Sequence, residues 1–159
     1  MRTKGHFGLS SVYGPNLSYF RKDFWLEFQD LLGLTFSKWC VGGDFNVIRR
    51  ISERLCGSKV TPSMRDFDDF IRECELIDLP LRNASFTWSN LQENPVCKRL
   101  VRFLFSSEWE FDFPYCIQKA GPGLTSDHCP IVLNTNPFIW GPKPFRFEKH
   151  LVASFGFQG

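Results

Sequence analysis

No stretch of this 159-residue chain approaches the roughly 20 consecutive apolar residues that a membrane-crossing helix requires. No Cys-x-x-Cys pair occurs among Cys40, Cys56, Cys74, Cys97, Cys116 and Cys129, and His6, His128 and His150 are scattered. That spacing argues against a structural zinc site. A secretory leader is also lacking, because residues 1–10 carry Arg2, Lys4 and His6 around no apolar core. The cysteines are therefore read as reduced thiols in a nuclear or cytoplasmic protein, with Cys40 and Cys74 packing as small hydrophobes. Charge of one sign is scarce: 19 Lys+Arg against 17 Asp+Glu leave +2, too little to mark a polyanion-binding protein by itself. Internal repeats and low-complexity tracts are absent.

What the chain does have is aromatic bulk. Aromatics make up 16% of the residues and Phe occurs 18 times, enough to build a core in a single domain of this length. Periodicity places a strand at 7–13, ended by Gly14-Pro15-Asn16, and a helix over 18–32 whose stripe is Phe20, Phe24, Phe28 and Leu31/Leu32. Trp39-Cys40-Val41 suits a buried strand emptying into Gly42-Gly43. Residues 49–62 read as an irregular loop. Ser63 with Asp66 predicts a capping box at the start of a second helix, carrying Met64, Phe67, Phe70/Ile71 and Cys74. Short strands are expected at 76–79, 85–88, 99–105, 115–118 and 129–134. Pro137, Pro142 and Pro144 make 137–159 a linker or tail beyond a domain over 1–136. Two helices among many short strands predict an α/β (α+β) domain with mixed, largely antiparallel sheets.

Three constellations sit at strand-to-loop junctions. In Gly42-Gly43-Asp44-Phe45-Asn46, Asp44 and Asn46 are two apart on an extended chain and so face one side. A carboxylate that accepts a proton beside an amide that holds a phosphate oxygen suits phosphoryl chemistry. In Ser126-Asp127-His128, a histidine at a strand mouth can act as acid or cation while the adjacent carboxylate binds a hard metal. In Val12-Tyr13-Gly14-Pro15-Asn16, a phenol is placed at a pocket rim. Taken one at a time, these are more readily an Asx-type turn, a polar loop capping a strand, and a packing tyrosine.

Together and in order, they resemble the endonuclease/exonuclease/phosphatase superfamily, most of all the endonuclease domain of plant LINE-type retrotransposons. The likeness is carried by SSVYGPN (10–16), CVGGDFNVIRR (40–50), MRDFDDFIRECELIDLPL (64–81), SFTWSN (85–90), KRLVRFLFSSEW (98–109), TSDHCPIVL (125–133) and PFRFE (144–148).

The resemblance implies a four-layered α/β/β/α sandwich that cleaves DNA phosphodiesters with Mg²⁺ or Mn²⁺. It implies that Asp44 orients or deprotonates water, that Asn46 and Tyr13 contact the phosphate, and that His128 stabilises developing charge. Asp127 would help place the metal, and Thr87 and Ser126 would line the site. Two departures weaken this expectation. The family's N-terminal Asn and metal-binding Glu precede the stretch present here, so the chain is expected to be an N-terminally truncated remnant. Where the family has an Asp that orients the histidine, this chain reads Arg99-Leu100-Val101-Arg102. The expected function is an inactive or weakly active remnant of a DNA endonuclease. The alternatives are an active phosphodiesterase or phosphatase with another substrate, and a non-catalytic interaction module.

Overall fold

The computed structural model describes residues 6–34, 37–122, 126–136 and 150–153. β1 (Phe7–Tyr13) leads through α1 (Ser18–Leu34) into β2 (Lys38–Asp44), and the helix supplies the crossover that a parallel strand pair requires. Next come α2 (Pro62–Glu73), β3 (Ile77–Asp78), β4 (Trp88–Ser89), β5 (Cys97–Lys98), β6 (Val101–Phe105) and α3 (Ser107–Asp112). β7 (Ile117–Ala120), β8 (Ile131–Asn134) and β9 (His150–Ala153) follow. The principal sheet has the order β1-β2-β6-β3, in which β6 runs antiparallel to both its neighbours. β7-β8-β9 form a second, antiparallel sheet, and β4 and β5 pair in a two-stranded ribbon. This is an α+β fold with mixed and antiparallel sheets. Among the described residues no helix is long and apolar enough to cross a membrane.

β2 and β6 lie in the middle of the sheet and are covered on both faces, which is why they read as apolar runs rather than alternating ones. On one face Val41 and Leu104 pack with Trp25 of α1 and Phe67, Phe70 and Ile71 of α2. On the other, Cys40, Val101, Phe103 and Phe105 meet Ile131 and Leu133 of β8 and Trp109 of α3. Two glycines permit the close strand approach that this requires. A Cβ on Gly43, whose φ is +159°, would overlap the Val12 carbonyl oxygen, and one on Gly42 would overlap the Phe103 ring.

Several element boundaries differ from the sequence expectation. The N-cap of α2 is Thr61, not Ser63: its hydroxyl accepts from the Met64 amide at 3.3 Å, and Pro62 occupies the first turn. Ser63 lies inside the helix and is buried. The strand expected at 85–88 is confined to Trp88–Ser89, and those at 99–105 and 129–134 begin two residues later. The loop at 49–62 contains a 3₁₀ turn, Ile51–Glu53. Most of the expected linker at 137–159 lies outside the described residues, but His150–Ala153 is strand, paired with β8 along its whole length.

The 3₁₀ turn has a purpose beyond connecting elements. It delivers Glu53 to the fully buried Arg102, whose guanidinium donates to Glu53 Oε2 at 2.7 Å and to Asp78 Oδ2 at 2.8 Å. Burial alone would raise the Glu53 carboxyl. The Arg102 charge and hydrogen bond, the Arg49 amide and Arg99 outweigh it and hold Glu53 below the usual carboxylate range. A carboxyl depressed on folding stabilises above its unfolded pKa of about 4.3 and loses that contribution as pH falls through the folded value. Urea midpoints taken from about pH 7 to about pH 3 should therefore fall in the acid limb. In Glu53→Gln that limb should flatten; an unchanged slope would mean that Glu53 is not the group titrating.

Candidate functional site

The Gly42-Gly43-Asp44 segment ends β2, and Asp44 is 1% exposed there. In the register, Asp44 lies beside Tyr13 of β1 on one side and Val101 of β6 on the other. Just past the strand, Asn46 takes a left-handed conformation (φ +52°), which asparagine tolerates better than most residues. That reversal brings its amide to Asp44 Oδ1 at 2.8 Å, and its side-chain nitrogen donates to the Gly14 carbonyl at 2.6 Å. The Gly14 amide donates to the Asp44 carbonyl at 2.7 Å, while Arg21 of α1 donates to the Asn46 carbonyl at 2.8 Å. Gly14 is needed here, since a Cβ would overlap the Phe45 carbonyl oxygen. The ends of β1 and β2 are thus stitched together through backbone atoms.

The Ser126-Asp127-His128 loop comes to the same end of the sheet. His128 Nδ1 lies 3.5 Å from Asp44 Oδ2, and its Nε2 lies 4.0 Å from Asp127 Oδ2. The approach to Asp44 is within reach of charge attraction but makes no hydrogen bond, and the buried Nδ1 has no other hydrogen-bond partner. Asp127 is oriented by the Trp88 indole, which donates to Oδ2 at 3.0 Å, and by the Ser126 hydroxyl at 3.2 Å. Burial raises the Asp44 carboxyl above its ordinary range; the Asn46 amide and His128 pull it down, and Asp127 pushes it up again. A carboxyl held up in this way is a better proton acceptor than an exposed aspartate once ionised.

The seven residues singled out from the sequence therefore divide. Asp44, Asn46, Asp127 and His128 come together. Tyr13 sits beside Asp44 in the register with its side chain half exposed. Ser126 braces the loop, accepting from the His128 amide at 3.2 Å. Thr87 is fully buried, and its hydroxyl accepts from the Leu100 and Val101 amides at 2.9 and 3.0 Å. Its carbonyl takes the Cys129 amide at 2.7 Å. Thr87 thus ties β6 to the His128 loop and presents no group to a substrate.

Compared with protein-family models and with curated proteins, the chain matches none. The reading of the site therefore stands on its own geometry.

Two residues that sequence reasoning passed over complete the arrangement. Trp88 positions Asp127, and Arg21 locks the turn at Asn46. Trp88 belongs to a run already noticed, SFTWSN; Arg21 had no signal, being one of five charged residues on α1.

The divalent cation implied by the resemblance would find two carboxylates here, Asp44 and Asp127. Asp44 Oδ1 and both oxygens of Asp127 already accept hydrogen bonds, and only Asp44 Oδ2 is uncommitted. Among the described residues no group of three or more His, Cys, Asp or Glu is arranged to hold a metal ion. Mg²⁺ is held by one or two carboxylates with waters completing its octahedron, and here Asp44 and Asp127 would be those carboxylates.

Proposed function

We propose that the Asp44–His128 pair is a phosphodiester-handling site of the endonuclease/exonuclease/phosphatase type, acting on DNA, and weak as it stands. The observation that carries this reading is the 3.5 Å approach of His128 Nδ1 to a buried Asp44 carboxylate, with Asn46 and Asp127 at its side. In this reading Asp44 takes a proton from water, Asn46 and Tyr13 face the phosphate, and the imidazole offsets charge that develops on it. The fold belongs, on the same reading, to a four-layered sandwich, and the protein works in the nucleus or cytoplasm.

Weakness is attributed to position 101. Val101 is the cross-strand neighbour of Asp44 and cannot accept a hydrogen bond, so Nδ1 of His128 faces Asp44 at 3.5 Å but has no hydrogen bond to orient it. The test is nicking of supercoiled plasmid, with and without Mg²⁺. Asp44→Ala should abolish whatever nicking the wild type shows. Val101→Asp should raise it by about tenfold or more, part of the ~10²–10⁴-fold that a positioned acid–base group supplies. Robust nicking that survives Asp44→Ala would overturn the proposal.

A further inference from the structure

Beside this site, behind Asn46, is an open cleft of about 420 Å³ that the chemistry described above does not use. Its walls carry Arg21, Arg54, Lys59 and Lys98, and none of the described residues lining it is a carboxylate. Four formal positive charges in one cleft exceed the whole chain's net charge of +2, so the nearly neutral composition hides a strong local asymmetry. Such focused potential is costly to maintain without an anion to face it.

The cations are placed rather than merely present. Arg54 and Lys98 oppose each other across an isolated antiparallel bridge, a register in which like charges repel. Gly57, at φ +145°, lets the loop fold over Arg54; a Cβ there would stand 3.3 Å from Arg54 Cδ. The Lys98 ammonium lies 5.6 Å from the Trp88 ring centroid. Arg21 is held by the Pro15, Asn16 and Asn46 carbonyls at 3.1, 3.0 and 2.8 Å. Burial, then Arg54 and Arg21, lowers the Lys98 ammonium below its ordinary value, as expected of cations crowded together. The N-terminus of the 12-residue α2 opens on the same cleft through Thr61 and Ser63, adding the positive end of a helix dipole. Val47, Ile48 and Leu100 give the remaining wall an apolar surface.

We propose that this cleft is a binding site for a phosphate ester of nucleotide size, with the phosphate on Arg54 and Lys98 and the organic part against Val47, Ile48 and Leu100. Guanidinium and ammonium groups converging on a helix N-terminus select a multi-oxygen anion, and the volume and apolar wall call for more than an inorganic ion. A strand's phosphodiester and a free nucleotide share this chemistry. The inference does not depend on Asp44 and His128 being catalytic, since the cleft's cations lie outside that pair.

The test is equilibrium binding to the full chain of three probes: inorganic phosphate, deoxyadenosine monophosphate and a labelled eight-nucleotide single strand (probe length on the order of one site size). The variant pair is Arg54→Gln with Lys98→Gln. Its charge-keeping counterpart is Arg54→Lys with Lys98→Arg, and circular dichroism checks that both fold. The expected result is that at least one ester binds more tightly than inorganic phosphate. The neutral pair should weaken it by roughly tenfold or more, and the charge-keeping pair should largely retain it. If the strand is the ligand, its salt dependence should also become shallower by roughly 1 to 2 in log–log slope. Tighter binding of the strand identifies a nucleic-acid backbone, and equal or tighter binding of the mononucleotide identifies a free nucleotide. Absence of binding by all three, or unchanged affinity in the folded neutral pair, would overturn the proposal. Nicking is read on Asp44→Ala and binding on Arg54→Gln with Lys98→Gln, so failure of the one result leaves the other standing.

Discussion

Arg102→Leu is expected to destabilise the fold by about 3–5 kcal/mol, the usual cost of removing one partner from a buried ion pair. Arg102 is fully buried, so solvent screening does not soften the effect. Its guanidinium donates to both Glu53 oxygens at 3.0 and 2.7 Å, to Asp78 at 2.8 Å and to the Arg99 carbonyl at 2.9 Å. It also lies 5.3 Å from the Phe67 ring centroid, beneath α2. Leucine would fill part of the volume but leave two buried carboxylates with only Arg99 and Arg49 to compensate them, at 3.2–3.5 Å. The measurement is urea denaturation followed by tryptophan fluorescence at neutral pH. Replacing Glu53 and Asp78 by apolar residues as well should recover much of the loss, because the penalty comes from unpaired charge rather than from missing attraction. A single-variant loss below about 1 kcal/mol would show that water reaches this network.

Trp25→Ala should cost a similar amount, about 3–5 kcal/mol, for a different reason: it empties the aromatic cluster between the helices and the sheet. Trp25 is buried and sits 4.9 Å from Phe67, 5.0 Å from Phe70 and 6.1 Å from Phe45, centroid to centroid. Phe45 separates Asp44 from Asn46 in the chain, so loosening its ring also loosens the turn that joins them. The same denaturation experiment reads the stability, and broadening of the Asn46 amide resonance reads the turn. Trp25→Phe should cost much less, since the indole nitrogen is buried without a partner and nothing polar is lost with it. Equal losses in the two variants would mean that the cluster repacks around any smaller residue.

How much of this was legible beforehand depended on the range of the interaction. β1, α1 and β2 could be read because each announces itself locally, through a turn triplet, helical spacing and an apolar run before two glycines. The stripe expected for α1 was nevertheless off, since Phe20 and Leu31 are exposed and the buried ring is Trp25. The α2 cap was misplaced because Ser63 and Asp66 mimic a capping box. The preference of Pro62 for the first helical turn, which moves the start back to Thr61, was the signal not used. The Glu53–Arg102 pair could not be read at all: 49 positions separate the partners, and nothing in either segment points to the other. Asp44 and Asn46 were expected to share a side of an extended chain. Instead Asn46 is left-handed and its amide bonds Asp44 Oδ1, so an Asx-type turn brings them together, while Asp127 and His128 are simply neighbours in the chain. The meeting of the two pairs is a property of strand order, set by the pairing of β2 with β6 and the bridge from Trp88 to His128. Thr87 was expected, from the resemblance, to line the site; here it is buried and its hydroxyl takes two backbone amides, tying loops together.

The position of β6 between β2 and β3 also sets an order of events for the growing polypeptide. While a ribosome is still extending the chain, β1, α1 and β2 can associate, but one flank of Asp44 remains open to water until Val101 has emerged and docked. The histidine arrives later still. Asp44 therefore begins as an ordinary solvated acid and acquires its buried character only when the middle of the molecule closes over it.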